Sequence, residues 1–216
     1  MASRTVIIAG ATGLVGKEIL AGLLADPSVA AVHSVGRRKP AVQAPKLTSH
    51  VVDFAALPAL PTADEVYLAL GTTIKVAGSQ SAFRAVDYAA NLAVATAALA
   101  AGAKRAGLVS AMGADPHSKI FYSRVKGELE EALAKLPFAG LVMARPSLLS
   151  GDREQLGQAL RRGEIVGAAL GKLAGFLIPA NYKPIAASAV AKALLSTVPS
   201  ASGKTVLLSG SMRARV

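Results

Sequence analysis

The chain has 216 residues, no cysteine and a formal net charge of +11. This length favours one domain, and the lack of cysteine excludes a disulfide-stapled scaffold and fits a cytoplasmic protein. Three scattered histidines argue against a metal site, and the dispersed Lys and Arg residues with only 4% aromatic residues argue against nucleic-acid binding.

A glycine-rich turn follows the first predicted strand, residues 5–9, and leads into a predicted helix over residues 14–25. A mononucleotide-binding P-loop is excluded, because five residues rather than four separate Gly10 from Gly16 and because an acidic residue, Glu18, follows the lysine. The strand-turn-helix context instead predicts the dinucleotide-binding turn of a Rossmann fold. A glycine turn that binds nothing is the alternative.

Each glycine of this turn has a predicted role. Gly10 makes the tight turn, Gly13 lets the backbone approach a pyrophosphate, and Gly16 lets the helix pack on the strand. The amides at the start of the helix then bind the diphosphate. The segment expected to contact the cofactor comprises Gly10, Thr12, Gly13, Leu14, Val15 and Gly16.

Strand and helix signals alternate along the rest of the chain. Strands are predicted at residues 5–9, 32–35, 47–52, 65–69, 105–110, 140–144 and 205–208, and helices at 14–25, 81–101, 122–135, 153–162 and 186–197. This alternation predicts an α/β fold, a Rossmann-type doubly wound parallel sheet in one domain over residues 1–216. The substrate region is expected mainly at 151–184, and each site residue just after a strand.

The longest charge-free stretch, residues 88–103, has sixteen residues. It falls short of the roughly 18 to 20 that a membrane span needs, so no membrane association is expected. We interpret it as a largely buried helix. It permits a homodimer without requiring one, and both a monomer and a homodimer stay open.

Two arginines follow the second predicted strand, where an NAD-dependent enzyme usually has an acidic residue. Arg37 and Arg38 at this point predict NADP(H) as the preferred cofactor, with NAD(H) as the alternative. They are otherwise two solvated arginines. After the third strand, Asp53 and Phe54 are expected to meet the adenine, although Asp53 is nearly as well explained as a helix cap.

The fourth predicted strand ends in a segment suited to ribose or phosphate: Leu70, Gly71, Thr72 and Thr73. Ser110 ends the fifth strand, and Tyr122 and Lys126 follow at the start of a helix. A Tyr-x-x-x-Lys pattern arises by chance in about a fifth of such chains, so its weight comes from this position.

The serine, tyrosine and lysine together predict acid-base chemistry. Residues i and i+4 share a helix face, so Lys126 lies beneath Tyr122 and raises its acidity. Bringing a phenol close to neutral pH requires about 4 kcal/mol, which one cation at about 4 Å supplies. Ser110 then donates a hydrogen bond to a substrate carbonyl while Tyr122 exchanges the proton.

These residues together resemble the short-chain dehydrogenase/reductase superfamily in its atypical branch. Over nearly the whole chain the motifs are similar to the Tat-interacting-protein-like oxidoreductases and their small bacterial relatives; they read GATGLVG, LGTT, AGSQSAFRAVDYAAN, LVSAMGAD, YSRVKGELE and RPSLLSG. The resemblance implies a structural or proton-relay role for Asn91. It also implies that Pro146, Ser147 and Leu148 meet the nicotinamide through backbone groups.

The resulting prediction is an NADP(H)-dependent oxidoreductase of a small carbonyl or alcohol. Its alternative is an NADP(H)-binding redox-sensing regulator without turnover, because the resemblance extends to proteins in which the cofactor serves regulation. Nucleic-acid binding through the net charge ranks well behind both.

Overall fold

The computed structural model describes residues 3–150 and 179–214. The strands are β1 (Arg4–Ala9), β2 (Val29–Gly36), β3 (Leu47–Val51), β4 (Glu65–Leu68), β5 (Arg105–Val109), β6 (Gly140–Arg145), β7 (Leu149–Ser150), β8 (Ile185–Ala186) and β9 (Gly203–Leu208). The α-helices are α1 (Leu14–Ala25), α2 (Ile74–Ala77), α3 (Gln80–Arg84), α4 (Asn91–Ala100), α5 (Phe121–Ala134), α6 (Ala187–Thr197) and α7 (Ser209–Arg213).

Seven strands form one sheet with parallel pairing and the order β3-β2-β1-β4-β5-β6-β9. The short strands β7 and β8 pair separately. The order of the large sheet runs outward in both directions from the boundary between β1 and β4, as in a doubly wound sheet. The prediction of a single Rossmann-type α/β domain is therefore confirmed. Of the predicted substrate region, residues 151–178 lie outside the described residues.

Both faces of the sheet are buried, because successive side chains of a strand point to opposite faces and helices cover each face. In β1, Val6 and Ile8 belong to the core that includes α1 and α6, whereas Ile7 and Ala9 belong to the core that includes α4 and α5. This double burial explains the continuous apolar strands. Polar groups that serve a ligand are consequently expected at the carboxyl edge.

The helix predicted over residues 81–101 is correct in position, but it is not a uniform α-helix. Between α3 and α4 the residues Ala85–Ala90 form a π-helical turn. Such turns are rare and occur frequently at functional sites. This one carries Asp87, which is 1% exposed although it is charged.

Two short helices were not predicted from the sequence. Helices α2 and α7 have four and five residues, too few to display an apolar period. The helix predicted at 153–162 lies outside the described residues. Within the described ranges, none of the helices combines the length and apolar character needed to cross a membrane.

A polar network closes the amino edge of the sheet. Arg4 donates to both carboxylate oxygens of Glu65, at 2.8 and 2.7 Å, and to Asp26 at the end of α1 at 2.5 Å. Glu65 is only 1% exposed and also accepts from the hydroxyl of Tyr67. Removal of the arginine leaves this carboxylate buried and unpaired, so we expect Arg4→Ala to lower the free energy of unfolding by about 3 kcal/mol.

Equilibrium unfolding in urea measures this loss. The matched control is Arg84→Ala, which removes an ion pair with Glu128 in which the arginine side chain is 45% exposed. Exposed pairs contribute less than about 1 kcal/mol. Equal losses in the two variants would contradict the assigned importance of the buried carboxylate.

Candidate functional site

The candidate site lies at the carboxyl edge of the sheet between β1 and β4, where the strand order reverses direction. Ligands of open α/β sheets bind in the crevice at such a point. The glycine turn leaves β1 here, and residues 70–73 leave β4 beside it. The site residues predicted after different strands are therefore brought to one edge.

Close packing accounts for the first and third glycines of the turn. Gly10 has φ +88°, and a Cβ added there would lie 2.4 Å from the carbonyl oxygen of Ala69. A Cβ on Gly16 would lie 2.0 Å from the carbonyl oxygen of Gly10. Gly16 thus lets α1 pack against the turn itself, not against the strand as the sequence predicted.

Gly13 differs from the other two glycines because a Cβ there would make a tight contact rather than a clash. The closest atom to a Cβ at Gly13 is the carbonyl oxygen of Gly10 at 3.3 Å, followed by that of Ala69 at 3.9 Å. Gly13 is also the N-cap of α1 and supplies no side-chain cap to the helix. A helix N-terminus that carries no side chain at its cap suits the diphosphate of a dinucleotide.

The residues after β2 and β3 have distinct environments. Arg37 and Arg38 are exposed immediately after the last residue of β2. Asp53 is exposed, and its carboxylate accepts from the amide of Ala55 at 3.0 Å, which makes it the cap of a short 3-10 turn. The capping alternative for Asp53 is thus observed, and Phe54 packs against the core on the α4/α5 face.

Hydrogen bonds with the π-turn and with α4 hold the loop that follows β4. The amide of Thr72 donates to Asp87 Oδ2 at 2.8 Å, and the side-chain amide of Asn91 donates to the carbonyl of Leu70 at 3.1 Å. Thr73 caps α2 by accepting from the amide of Val76 at 3.1 Å. The Thr73 hydroxyl oxygen is therefore already engaged.

Asn91 is fully buried and also donates to the carbonyl of Asp87 at 3.0 Å. Its observed contacts are to the protein backbone, so it supports the loop that was predicted to face the cofactor.

Helix α5 presents Tyr122 and Lys126 at i and i+4, with Glu130 one further turn along the same face. Tyr122 is 37% exposed, whereas Lys126 is 4% and Glu130 is 5% exposed. The Lys126 Nζ lies 2.7 Å from Asp87 Oδ1. The sequence predicted Lys126 as a single positive charge beneath Tyr122. In the structure the Asp87 carboxylate balances this charge.

The pKa of Lys126 reflects this environment. Burial lowers it, but the nearby Asp87, Tyr122 and Glu130 raise it, and the pKa stands above the ordinary lysine value. Lys126 consequently carries its charge at neutral pH despite being buried.

Ser110 departs from its predicted role as a donor to a substrate carbonyl. Its hydroxyl donates to Glu130, which also accepts from Arg145 at 2.6 and 3.0 Å. The pKa of Arg145 is raised mainly by its hydrogen bond to this carboxylate. A hydroxyl has one proton, so in this arrangement Ser110 offers only its lone pairs to a ligand.

The segment after β6 is tied to the C-terminal part of the chain. The amide of Ser147 donates to Ser209 Oγ at 2.7 Å, and its hydroxyl donates to the carbonyl of Lys183. The carbonyl of Pro146 accepts from the amide of Met112 at 2.8 Å, while the Leu148 side chain is 45% exposed. Residues 146–148 therefore form a braced backbone segment near the end of β5.

Three charged residues of this site were not predicted: Asp87, Glu130 and Arg145. Glu130 continues the i+4 spacing of the tyrosine and lysine, so the sequence contains a signal for it. Asp87 directly precedes the charge-free stretch 88–103 that was predicted to be buried, and an acid that is buried in such a segment requires a partner. Arg145 carries no comparable local signal.

Comparison with known proteins identifies relatives over the full length. Protein fmp52-1, mitochondrial, of Aspergillus terreus is 37% identical over 225 residues, covering 96% of each chain. Protein fmp52, mitochondrial, of Emericella nidulans is 37% identical over 222 residues, covering 95% of each. The chain belongs to the FMP52 family. No protein-family model matches it.

The FMP52 relatives correct one expectation from the sequence. They are named as mitochondrial proteins, so the prediction of a cytoplasmic location is wrong. Their names state no activity.

Solved structures confirm the fold of this FMP52 family member. A short-chain dehydrogenase/reductase family oxidoreductase from Burkholderia thailandensis superposes with a TM-score of 0.71 at 18% identity, covering 99% of this chain and 94% of that one. MoeE5 in complex with UDP-glucose and NAD superposes with a TM-score of 0.69 at 18% identity, covering 94% and 75%. These likenesses confirm the Rossmann-type fold that the resemblance implied; membership of the short-chain dehydrogenase/reductase superfamily and of its Tat-interacting-protein-like branch stays a prediction.

Proposed function

We propose that the protein is an NADP(H)-dependent oxidoreductase of a small carbonyl or alcohol. The observation that carries the proposal is the position of the glycine turn at the switch point between β1 and β4, where α1 begins at Gly13 without a side-chain cap. One carboxylate, Asp87, contacts both the loop after β4 at Thr72 and the buried Lys126. The acid-base pair therefore lies beside the place where a dinucleotide fits.

The predicted cofactor residues divide by the part of the dinucleotide that they would hold. The turn and the first amides of α1 suit the diphosphate, and Arg37 and Arg38 suit a 2′-phosphate. Asp53 and Phe54 remain assigned to the adenine, residues 70–73 to the ribose and residues 146–148 to the nicotinamide. MoeE5, which shares the fold, is described in complex with NAD, and this supports a nicotinamide dinucleotide as the ligand.

The bound nicotinamide would supply the hydride. In this chain, Tyr122 would hold or accept the proton at its phenolic oxygen, and Lys126 would contact the adjoining ribose while its charge acts on the tyrosine. Ser110 accepts a hydrogen bond from a substrate hydroxyl, since its own proton goes to Glu130. This arrangement favours an alcohol as the ligand of the resting site.

A second candidate function is an NADP(H)-binding sensor without turnover. The engagement of Ser110 by Glu130 favours it, because a serine that cannot donate gives no stabilisation to a developing oxyanion. NADPH that raises the melting temperature without being oxidised by any carbonyl in a broad panel would select the sensor.

The cofactor preference is tested with the two exposed arginines. We expect NADPH to raise the melting temperature more than NADH does, and Arg37→Ala/Arg38→Ala to reduce NADPH affinity at least about tenfold. The reason is that the double variant removes the charge-assisted hydrogen bonds to the 2′-phosphate. Calorimetric titration with each dinucleotide measures both effects.

Lys104→Ala/Lys135→Ala is the charge-matched control, since both lysines are exposed, one just before β5 and the other at the end of α5. It should leave both affinities unchanged. Equal binding of NADPH and NADH by the parent protein would end the proposed preference but not the proposed site.

A further inference from the structure

We propose that Asp87 is a positioning residue of this site, which fixes the ammonium group of Lys126 against the loop that follows β4. The inference rests on the proposed function, because it explains how the lysine is held at the cofactor. Neither the sequence pattern nor the relatives assign this aspartate a role.

The two carboxylate oxygens of Asp87 have separate tasks. Oδ1 lies 2.7 Å from the Nζ of Lys126, and Oδ2 accepts from the amide of Thr72 at 2.8 Å. A Cβ on Gly71 would lie 3.7 Å from Oδ1, so the loop passes directly beside the carboxylate. One side chain thus joins the loop to the lysine.

The backbone around Asp87 departs from regular α-helix geometry. The residue lies within the π-turn Ala85–Ala90, which interrupts the helix at this point. The carbonyl of Asp87 accepts from the side chain of Asn91, and the same amide reaches the carbonyl of Leu70. Two hydrogen bonds therefore connect the loop to this helical segment, one accepted by the Asp87 carboxylate and one donated by the Asn91 side chain.

Asp87 is the counter-ion of Lys126, although it is not the only group that faces it. Tyr122 and Glu130 on α5 also act on the lysine. Glu130, however, is paired with Arg145 at 2.6 Å. Loss of Asp87 would thus leave a buried ammonium group without its nearest opposite charge, which favours the neutral amine and releases its position.

The substitution Asp87→Asn tests the inference with almost no change in shape. An asparagine has one acceptor oxygen, so it cannot serve both the Thr72 amide and the ammonium group. We expect Lys126 to titrate at lower pH in the variant than in the parent protein. Nuclear magnetic resonance of protein labelled with ¹³C-lysine measures this, and the spectrum of Lys126→Met assigns the signal.

NADPH binding gives the second readout. We expect Asp87→Asn to weaken NADPH about tenfold, the loss of one charge-assisted contact. In the Lys126→Met background the same substitution should change the affinity less than about twofold. An equal loss in both backgrounds would show that Asp87 acts on the loop alone and would overturn the inference.

Asp64→Asn is the matched control. Asp64 also accepts a backbone amide, that of Thr5 at 2.7 Å, but it is exposed at the amino edge of the sheet. It should change neither the Lys126 titration nor the NADPH affinity.

The two readouts separate failure of this inference from failure of the proposed function. If the parent protein does not bind NADPH, the proposed function fails, and the lysine titration still decides the role of Asp87. An unchanged titration in Asp87→Asn overturns that role. If Asp87→Asn does not fold, recovery of folding by adding Lys126→Met supports the pair, and failure of the double variant to fold overturns it.

Discussion

Tyr122→Phe is expected to keep NADPH affinity within about twofold and to lower kcat by about 10²- to 10⁴-fold. The phenylalanine retains the ring that packs against Phe83, at 5.6 Å between centroids, but it lacks the proton that general acid-base catalysis transfers. Because Tyr122 is 37% exposed, loss of its hydroxyl leaves no buried polar group unpaired. Turnover of the best substrate from a carbonyl and alcohol panel, followed by dinucleotide absorbance, measures the effect.

The control is Tyr88→Phe. Tyr88 lies in the groove between α4 and α5, under the guanidinium of Arg84 at 4.5 Å, so it shares the side chain but not the site. It should leave kcat unchanged. An unchanged kcat in Tyr122→Phe would remove Tyr122 from the chemistry, and a large loss of NADPH affinity would assign it to binding instead.

The glycine turn and the parallel strands were predictable because both are local. A strand buried on two faces must be apolar throughout, so β1, β4 and β6 appear in the sequence as continuous runs. Gly10 and Gly16 were identifiable because only glycine fits at these two positions, where a Cβ would clash with a backbone carbonyl. The order of the strands then follows from the right-handed crossover rule and the usual Rossmann connection.

The charge pairs of the site were not predictable, because each joins elements that are distant in the sequence. Asp87 and Lys126 lie on different helices, and Arg145 ends a strand that contacts Glu130 on α5. Apolar periodicity also cannot distinguish a π-turn from an α-helix in an alanine-rich segment. The position of Ser110 after β5 was predicted from the sequence. Its ability to donate to a ligand was not predictable, because it depends on whether the hydroxyl donates to Glu130 instead.

Cellular location was predicted wrongly for a related reason. Net charge and cysteine content describe the surface and the redox tolerance of a fold. Neither is a targeting signal, and the mitochondrial names of the relatives carry information that composition does not.

The site combines two ion pairs, the fully buried Asp87 with Lys126 and the buried Glu130 with Arg145, whose side chain is 30% exposed. Lys126 and Glu130 are neighbours on one face of α5, so charges of opposite sign alternate along the site. Buried pairs contribute little net stability compared with apolar residues. Their presence at the carboxyl edge is better explained by the need to hold a lysine and a serine in defined orientations.

Gly13→Val is expected to lose NADPH affinity, whereas Gly16→Ala is expected to lose stability. A Cβ on Gly16 would lie 2.0 Å from a backbone oxygen, so α1 must move away from the turn. We expect Gly16→Ala to lower the free energy of unfolding by about 3 kcal/mol. A Cβ on Gly13 would lie 3.3 Å from the carbonyl oxygen of Gly10, a contact that a small shift relieves, so we expect Gly13→Val to lower the free energy of unfolding by only about 1 kcal/mol.

The diphosphate requires close approach to the backbone at Gly13, so Gly13→Val should weaken NADPH binding at least about 100-fold, because the isopropyl group prevents the contact between backbone amides and phosphate. Urea unfolding and calorimetry on the same samples separate the two outcomes, and each variant serves as the control for the other. If Gly13→Val bound NADPH normally, the crevice between β1 and β4 would not be the dinucleotide site. Equal loss of stability in both variants would mean that the turn is a structural element in which all three glycines serve packing.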